Sequence, residues 1–235
     1  MVNPSTENPT TSRDYAAHTA SVRGARLAEL AARAIQPAAE FGMLLADPIF
    51  WGWGVPRGDG HPVLVLPGLL GGDTYLQPLR AWLRRIGYTS VRSGLDRNPG
   101  WSEELVQQLG DIAAQAQARA GAPVTIIGHS LGGVQGRSIA LRRPGVVRHV
   151  ITLGSPLRLS RSRLPESVRL TSMYSAEDRI VRHPGALAAE PHATNIQTPG
   201  SHTGLAFNPT VYRHLATLLR GGPAPSGRTR SPELL

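Results

Sequence analysis

One five-residue pattern constrains this chain more than any other feature. Gly128-His129-Ser130-Leu131-Gly132, a G-x-S-x-G pentapeptide, lies between the apolar run Pro123–Gly128 and a helix-forming stretch that reaches Arg143. A strand that turns directly into a helix leaves little room at the bend, so small residues are needed at 128 and 132 for the two elements to approach. The serine is then exposed at the end of the strand, beside the positive end of the helix dipole. An ordinary serine N-cap satisfies the same letters, so the surroundings must separate the two readings.

Those surroundings alternate apolar runs with helix-compatible stretches. Strands are predicted at His61–Pro67, Tyr88–Ser93, Pro123–Gly128, Val147–Leu153, Val168–Tyr174 and Thr194–Gln197. Helices are predicted over Thr74–Arg85, over Ser102–Ala120 with Ser102 as N-cap, from Ser130 to Arg143, and from Asn208 with Pro209 in the first turn. The alternation implies an α/β fold, a mostly parallel sheet flanked by helices on both faces. Reactive groups in such sheets gather at the carboxyl ends of the strands. Residues 1–20 are polar and expected to be disordered. Residues 21–60 are expected to form a helical and aromatic extension, with two helical stretches meeting near Pro37 and a patch of Phe50, Trp51 and Trp53. The α/β domain then occupies 61–220, and 221–235 reads as a flexible tail.

A serine hydroxyl is a weak nucleophile until a base takes its proton. The candidate base is His202, in Pro199-Gly200-Ser201-His202-Thr203-Gly204, just past the last strand. His183 and His192, on the preceding connection, are its rivals. The remaining histidines fall at less suitable places: His18 near the start, His61 and His149 at or within strands, His214 in the final helix and His129 inside the pentapeptide. A third residue must orient the imidazole and stabilise its charged form. Asp178, on the turn leaving the fifth strand, is preferred, with its neighbour Glu177 as the rival. The glycine-rich turn Leu66-Pro67-Gly68-Leu69-Leu70-Gly71-Gly72 can aim backbone N–H groups at developing negative charge. The expected donors are Leu69 and Leu131, the alternative being a plain strand-to-helix turn.

The chain has no cysteine, which removes disulfides, thiolate metal sites and cysteine nucleophiles. No metal or cofactor is expected. Its net charge is +9, and every Lys/Arg-type cation is arginine. Between Gly133 and Leu170 stand eight arginines against the single acid Glu166. Such a stretch suits peripheral contact with an anionic lipid surface or an acidic substrate, or is a solvated face of an arginine-rich protein. The basic residues carry no nucleic-acid module and no interleaved aromatics, so nucleic acid is not expected as a partner. Neither a signal peptide nor an apolar run long enough to span a bilayer is recognised, so a cytoplasmic or peripheral location is expected.

Taken with their order, the pieces LPGLLGG (66–72), GHSLGG (128–133), TLGSP (152–156), SAEDRIV (175–181) and GSHTG (200–204) resemble small bacterial lipases and esterases of the α/β-hydrolase family. The resemblance covers about 61–220. It implies Ser130 as nucleophile, Asp178 and His202 as its partners, and Leu69 and Leu131 as oxyanion donors. It also implies cleavage of small or lipid-like carboxylic esters through an acyl-serine. Many relatives carry histidine–glycine at the oxyanion turn, where this chain has Pro67-Gly68. The short link from Ser155 to Glu166 leaves no room for the large cap of bigger members. Two other outcomes use the same letters: an acyltransferase with the same triad, and an inactive hydrolase fold used for binding.

Overall fold

The computed structural model describes residues 36–159 and 162–221. The expectations for residues 1–35 and for the tail from 222 onward lie outside the described residues. Six strands, β1 (Pro62–Leu66), β2 (Thr89–Val91), β3 (Val124–His129), β4 (Val147–Leu153), β5 (Arg169–Tyr174) and β6 (Thr194–Gln197), form one sheet in the order β2-β1-β3-β4-β5-β6. Every pairing is parallel. The strands read as continuous apolar runs because both faces are covered: β1 and β3 are buried along their whole lengths.

Alternate side chains of each strand feed two separate cores. Val63, Val65, Ile127, Ile151, Leu153, Met173 and Ile196 point to one face, where Leu79, Trp82 and Leu83 of α2 (Gln77–Arg85) and Val211, Tyr212 and Leu215 of α6 (Pro209–Leu219) cover them. Leu64, Leu66, Val124, Ile126, Val150 and Leu170 point to the other. There Leu105, Val106 and Leu109 of α3 (Glu103–Ala120) and Ile139 and Ala140 of α4 (Leu131–Arg142) pack. At about 25 cal/mol per Å² of buried apolar surface, these two layers are the main stabilising term of the fold.

The ends of the helices follow local chemistry. The Ser102 hydroxyl accepts from the Leu105 N–H at 3.1 Å, and Asn208 Oδ1 accepts from the Thr210 N–H at 2.8 Å with Pro209 at the first helical position. Helix α2 starts at Gln77 rather than Thr74. Pro78 lies in its first turn, where a missing N–H costs nothing, and residues 73–76 form turns instead. Residues 36–46 are helical (α1), with Pro37 inside the described stretch, and lead into the 3-10 turn Pro48–Trp51. Phe50 is buried against Tyr212, ring to ring at 6.4 Å. Trp51 and the well-exposed Trp53 lie beyond it, near Arg85 and Ile86, where α2 ends and the chain enters β2. That is the amino edge of the sheet, away from the carboxyl edge that carries Ser130.

Among the described residues between β4 and β5 the chain makes the 3-10 turn Leu157–Leu159, a further turn and extended segments, with no large cap. A four-residue helix, α5 (His183–Ala186), lies on the way to β6. Arg137, in the arginine-rich stretch, is buried and paired with Glu190, while Arg142 and Arg143 pair with Glu103 and Asp111. No described helix is long and apolar enough to cross a membrane.

Candidate active site

The bend between β3 and α4 is as tight as the sequence requires. A side-chain carbon at Gly128 would lie 2.4 Å from the Gly133 backbone, and one at Gly132 2.4 Å from the Leu66 carbonyl oxygen. Ser130 absorbs the turn with φ +51°, and only Leu70 among the other described non-glycine residues has positive φ. Such a conformation costs on the order of 1–3 kcal/mol and persists because the surroundings impose it. The Ser130 N–H is held by the Leu153 carbonyl at 2.8 Å, which anchors the bend to the end of β4. The half-buried Ser130 hydroxyl makes no capping bond to α4. The N-cap reading of this serine therefore does not describe it.

His202 and Asp178 are brought together. Nδ1–H of His202 donates to Asp178 Oδ2 at 2.7 Å, so Nε2 is the unprotonated nitrogen of the neutral ring. The other carboxylate oxygen accepts from the Ile180 and Val181 N–H groups, both at 2.8 Å. Both residues are buried. Asp178 is thus fixed by the turn that leaves β5, and it fixes one tautomer of the imidazole. Its rival Glu177 is exposed, and the rival histidines 183 and 192 are exposed on the β5–β6 connection. Among the described residues no hydrogen bond joins Ser130 to His202. Such bonds are often long before substrate closes the site.

The turn after β1 stands against Ser130: a side-chain carbon at Gly68 would lie 3.0 Å from Ser130 Cβ. The Gly71 N–H donates to the Gly68 carbonyl at 3.0 Å, with Leu70 at φ +61° inside the turn. Among the described residues, no backbone carbonyl accepts from the Leu69 N–H. Leu131 is the first residue of α4, where N–H groups have no partner within the helix. Two free amides, a helix N-terminus and a turn glycine therefore flank the serine.

Comparisons with known proteins agree with this frame. No family model matches the chain. It aligns with a triacylglycerol lipase of Pseudarthrobacter phenanthrenivorans at 30% identity over 107 residues, which is 42% of this chain and 34% of that lipase. The aligned part is thus about a third of the curated relative's length. It superposes on a metagenome-derived lipolytic enzyme with a TM-score of 0.56 at 13% identity, over 71% of this chain and 96% of the other. It also superposes on a dienelactone hydrolase of Anabaena variabilis with a TM-score of 0.52 at 20% identity, over 71% and 87%. This is the α/β-hydrolase fold.

Polar residues without a local sequence signature hold this site in place. Asn98 is fully buried: its Nδ2 donates to the Pro67 carbonyl at 2.8 Å and to Gln135 Oε1 at 2.9 Å, and its backbone exchanges bonds with Leu70 and Gly71. It ties the turn after β1 to α4. Tyr75 donates to Nδ1 of His129 at 2.5 Å, and His129 Nε2–H donates to the His202 carbonyl at 2.9 Å. Burial, with His202 beside it, pushes His129 down to about 4, so the ring is neutral and its donor and acceptor are defined. The Tyr75 hydroxyl is pushed well up by burial and faces the Gly68 N–H. No local pattern announces these partners, although a glutamine at 135, midway along a buried helix face, is a signal in retrospect.

Proposed function

We propose that this chain is a serine hydrolase of carboxylic esters, an esterase or lipase that works through an acyl-serine. Ser130 is the nucleophile, His202 the general base and acid, Asp178 the orienting carboxylate, and the Leu69 and Leu131 N–H groups the oxyanion donors. One observation carries the reading: a strained serine whose hydroxyl caps nothing, at the carboxyl edge where a buried carboxylate fixes the tautomer of a histidine.

In the reaction, Oγ of Ser130 attacks the ester carbonyl carbon while Nε2 of His202 takes its proton. The carbonyl oxygen becomes an oxyanion between the two amides, and each such donor is typically worth about two to three orders of magnitude in rate. The intermediate collapses, the C–O bond to the alcohol breaks, and His202 returns the proton to that alcohol. Water then attacks the acyl-serine by the same route and releases the acid. Around the serine, Leu69, Leu70, Trp101 and Ile180 are all about half exposed or more, an apolar rim suited to acyl chains rather than charged groups. The lipase name of the aligned relative supports the same substrate class.

The test is hydrolysis of p-nitrophenyl esters from acetate to palmitate, with Ser130→Ala as control. The expected result is turnover that falls about 10⁴-fold or more in the variant, with loss of fluorophosphonate labelling. Turnover that survives in Ser130→Ala sinks the assignment.

A further inference from the structure

The loop that carries His202 is held by a residue from the N-terminal segment. Glu40 lies on α1, on the stripe that turns inward with Leu44, and is only 4% exposed. Its Oε1 accepts from the Ser201 N–H at 2.7 Å and its Oε2 from the Ser201 hydroxyl at 2.6 Å. The Gln36 amide adds a longer bond to Oε1 at 3.4 Å. The Ser201 hydroxyl in turn accepts from the Gly204 N–H at 3.0 Å. A side-chain carbon at Gly204 would fall 1.5 Å from Oε2, so the carboxylate fills the place where a larger residue would stand. Glu40 accepts all of these bonds, donates none, and meets no cation among the described residues. Burying a carboxylate this way is costly. A glutamine cannot replace it fully, because its amide offers one accepting oxygen to two donors.

We propose that Glu40 is a positioning residue for His202: through Ser201 it fixes the loop 199–204 that carries the imidazole. The inference rests on the reading of His202 as the base. Asp178 then orients the ring from one side, while Glu40 holds the backbone of the loop from another, so that the His202–Asp178 bond keeps its geometry. The other groups facing His202 are His129, at the end of β3, and Tyr75 behind it; Glu177 and Arg179 flank Asp178 on its exposed turn. None of these supplies a cation in the place that Glu40 occupies.

The experiment compares Glu40→Gln, Ser201→Ala and the double variant of the full chain, with p-nitrophenyl butyrate as substrate and His202 ring protons followed by NMR. In Glu40→Gln, kcat is expected to fall about tenfold with KM within twofold, because the loop loses its fixed geometry. The acid limb of kcat/KM and the His202 titration both move lower, because a loosened loop weakens the His202–Asp178 bond. Ser201→Ala loses a smaller factor, and the double variant is no worse than the worse single one, since both act through the same bonds. An unchanged His202 titration with wild-type kcat in Glu40→Gln overturns the proposal, and so do additive losses in the double variant. If Glu40→Gln fails to fold by circular dichroism, Ser201→Ala decides alone, and wild-type kcat and pH profile there overturn it. The NMR titration needs no turnover. A chain that hydrolyses no ester therefore defeats the proposed function, while the titration still decides the part played by Glu40.

Discussion

At the carboxyl edge of the sheet, His202 donates to Asp178 at 2.7 Å. At the amino edge, His61 lies 2.6 Å from Asp59 through the same ring nitrogen, and its Nε2 faces the Thr125 hydroxyl at 3.2 Å. Hydroxyl, imidazole and carboxylate are thus hydrogen-bonded in line at the amino edge, while at the carboxyl edge the imidazole and carboxylate are paired and no hydrogen bond joins Ser130 to His202 among the described residues. The two sets differ in what is buried. The Asp178 side chain is fully covered, whereas that of Asp59 is 70% exposed. Thr125 is sealed inside β3, whereas Ser130 stands at a strained bend beside a helix N-terminus and two free amides. A histidine–carboxylate pair is therefore common chemistry. What distinguishes the carboxyl edge is an accessible hydroxyl, a shielded carboxylate and backbone amides without a carbonyl partner.

The largest expected effect tests that difference directly. Asp178→Asn lets the side-chain amide donate to His202 Nδ1 and so favours the wrong tautomer; kcat is expected to fall about 10⁴-fold. Asp59→Asn, the matching change at the other edge, is expected to alter kcat less than twofold. Parallel assays of the two variants check it, and comparable losses would mean that the amino-edge pair reaches the chemistry.

Next in size is a contrast in acid stability. His149, on β4 at the amino edge, is 1% exposed, with Nε2 on the Thr171 hydroxyl at 2.9 Å and Nδ1 on no partner among the described residues. Burial, with Arg169 and Arg148 nearby, pushes it from 6.5 down to about 3. Folded-state depression means that the unfolded chain binds the proton first. The stability is therefore complete above pH 6.5 and is lost as the pH falls from there toward 3, by up to about 1.4 kcal/mol per pH unit. His149→Leu is expected to shrink the stability difference between pH 7.5 and 5 by about 2 kcal/mol, measured by urea unfolding at both pH values. An unchanged difference would show that His149 does not govern this edge.

The contrast between the edges also marks what the sequence could disclose. The six strands, the long helices, the bend at Ser130 and the loop of His202 were legible because each is a local pattern: an apolar run, a cap, a glycine-flanked turn. Asp178 was legible because it leaves a strand end in the right chain order. Glu40 and Ser201 are 161 residues apart, and Tyr75 and His129 are 54 apart. Their pairing is set by how α1 and the turn after β1 pack on the sheet, which no local spacing encodes. Glu40 did leave one trace, an acid on the stripe that Phe41 and Leu44 otherwise keep apolar.

The smallest expected effect concerns the chain of bonds that the amino edge lacks. Tyr75 connects the turn after β1 to His129, and His129 connects in turn to the backbone of His202. Tyr75→Phe keeps the ring and its edge contact with His129, 5.7 Å between centroids, but removes the donor that Nδ1 has among the described residues. A buried acceptor without a partner costs about 1–3 kcal/mol, read as a lower urea midpoint at unchanged slope. Because His129 holds the His202 carbonyl, a kcat lower by a few-fold is expected with KM unchanged. If stability falls but kcat does not, the Tyr75–His129 pair braces the fold alone, and the position of His202 depends on Asp178 and the loop's other anchors. If kcat falls as well, the carboxyl edge differs from the amino edge not only in its half-buried serine but in a polar brace that runs from the turn after β1 to His202.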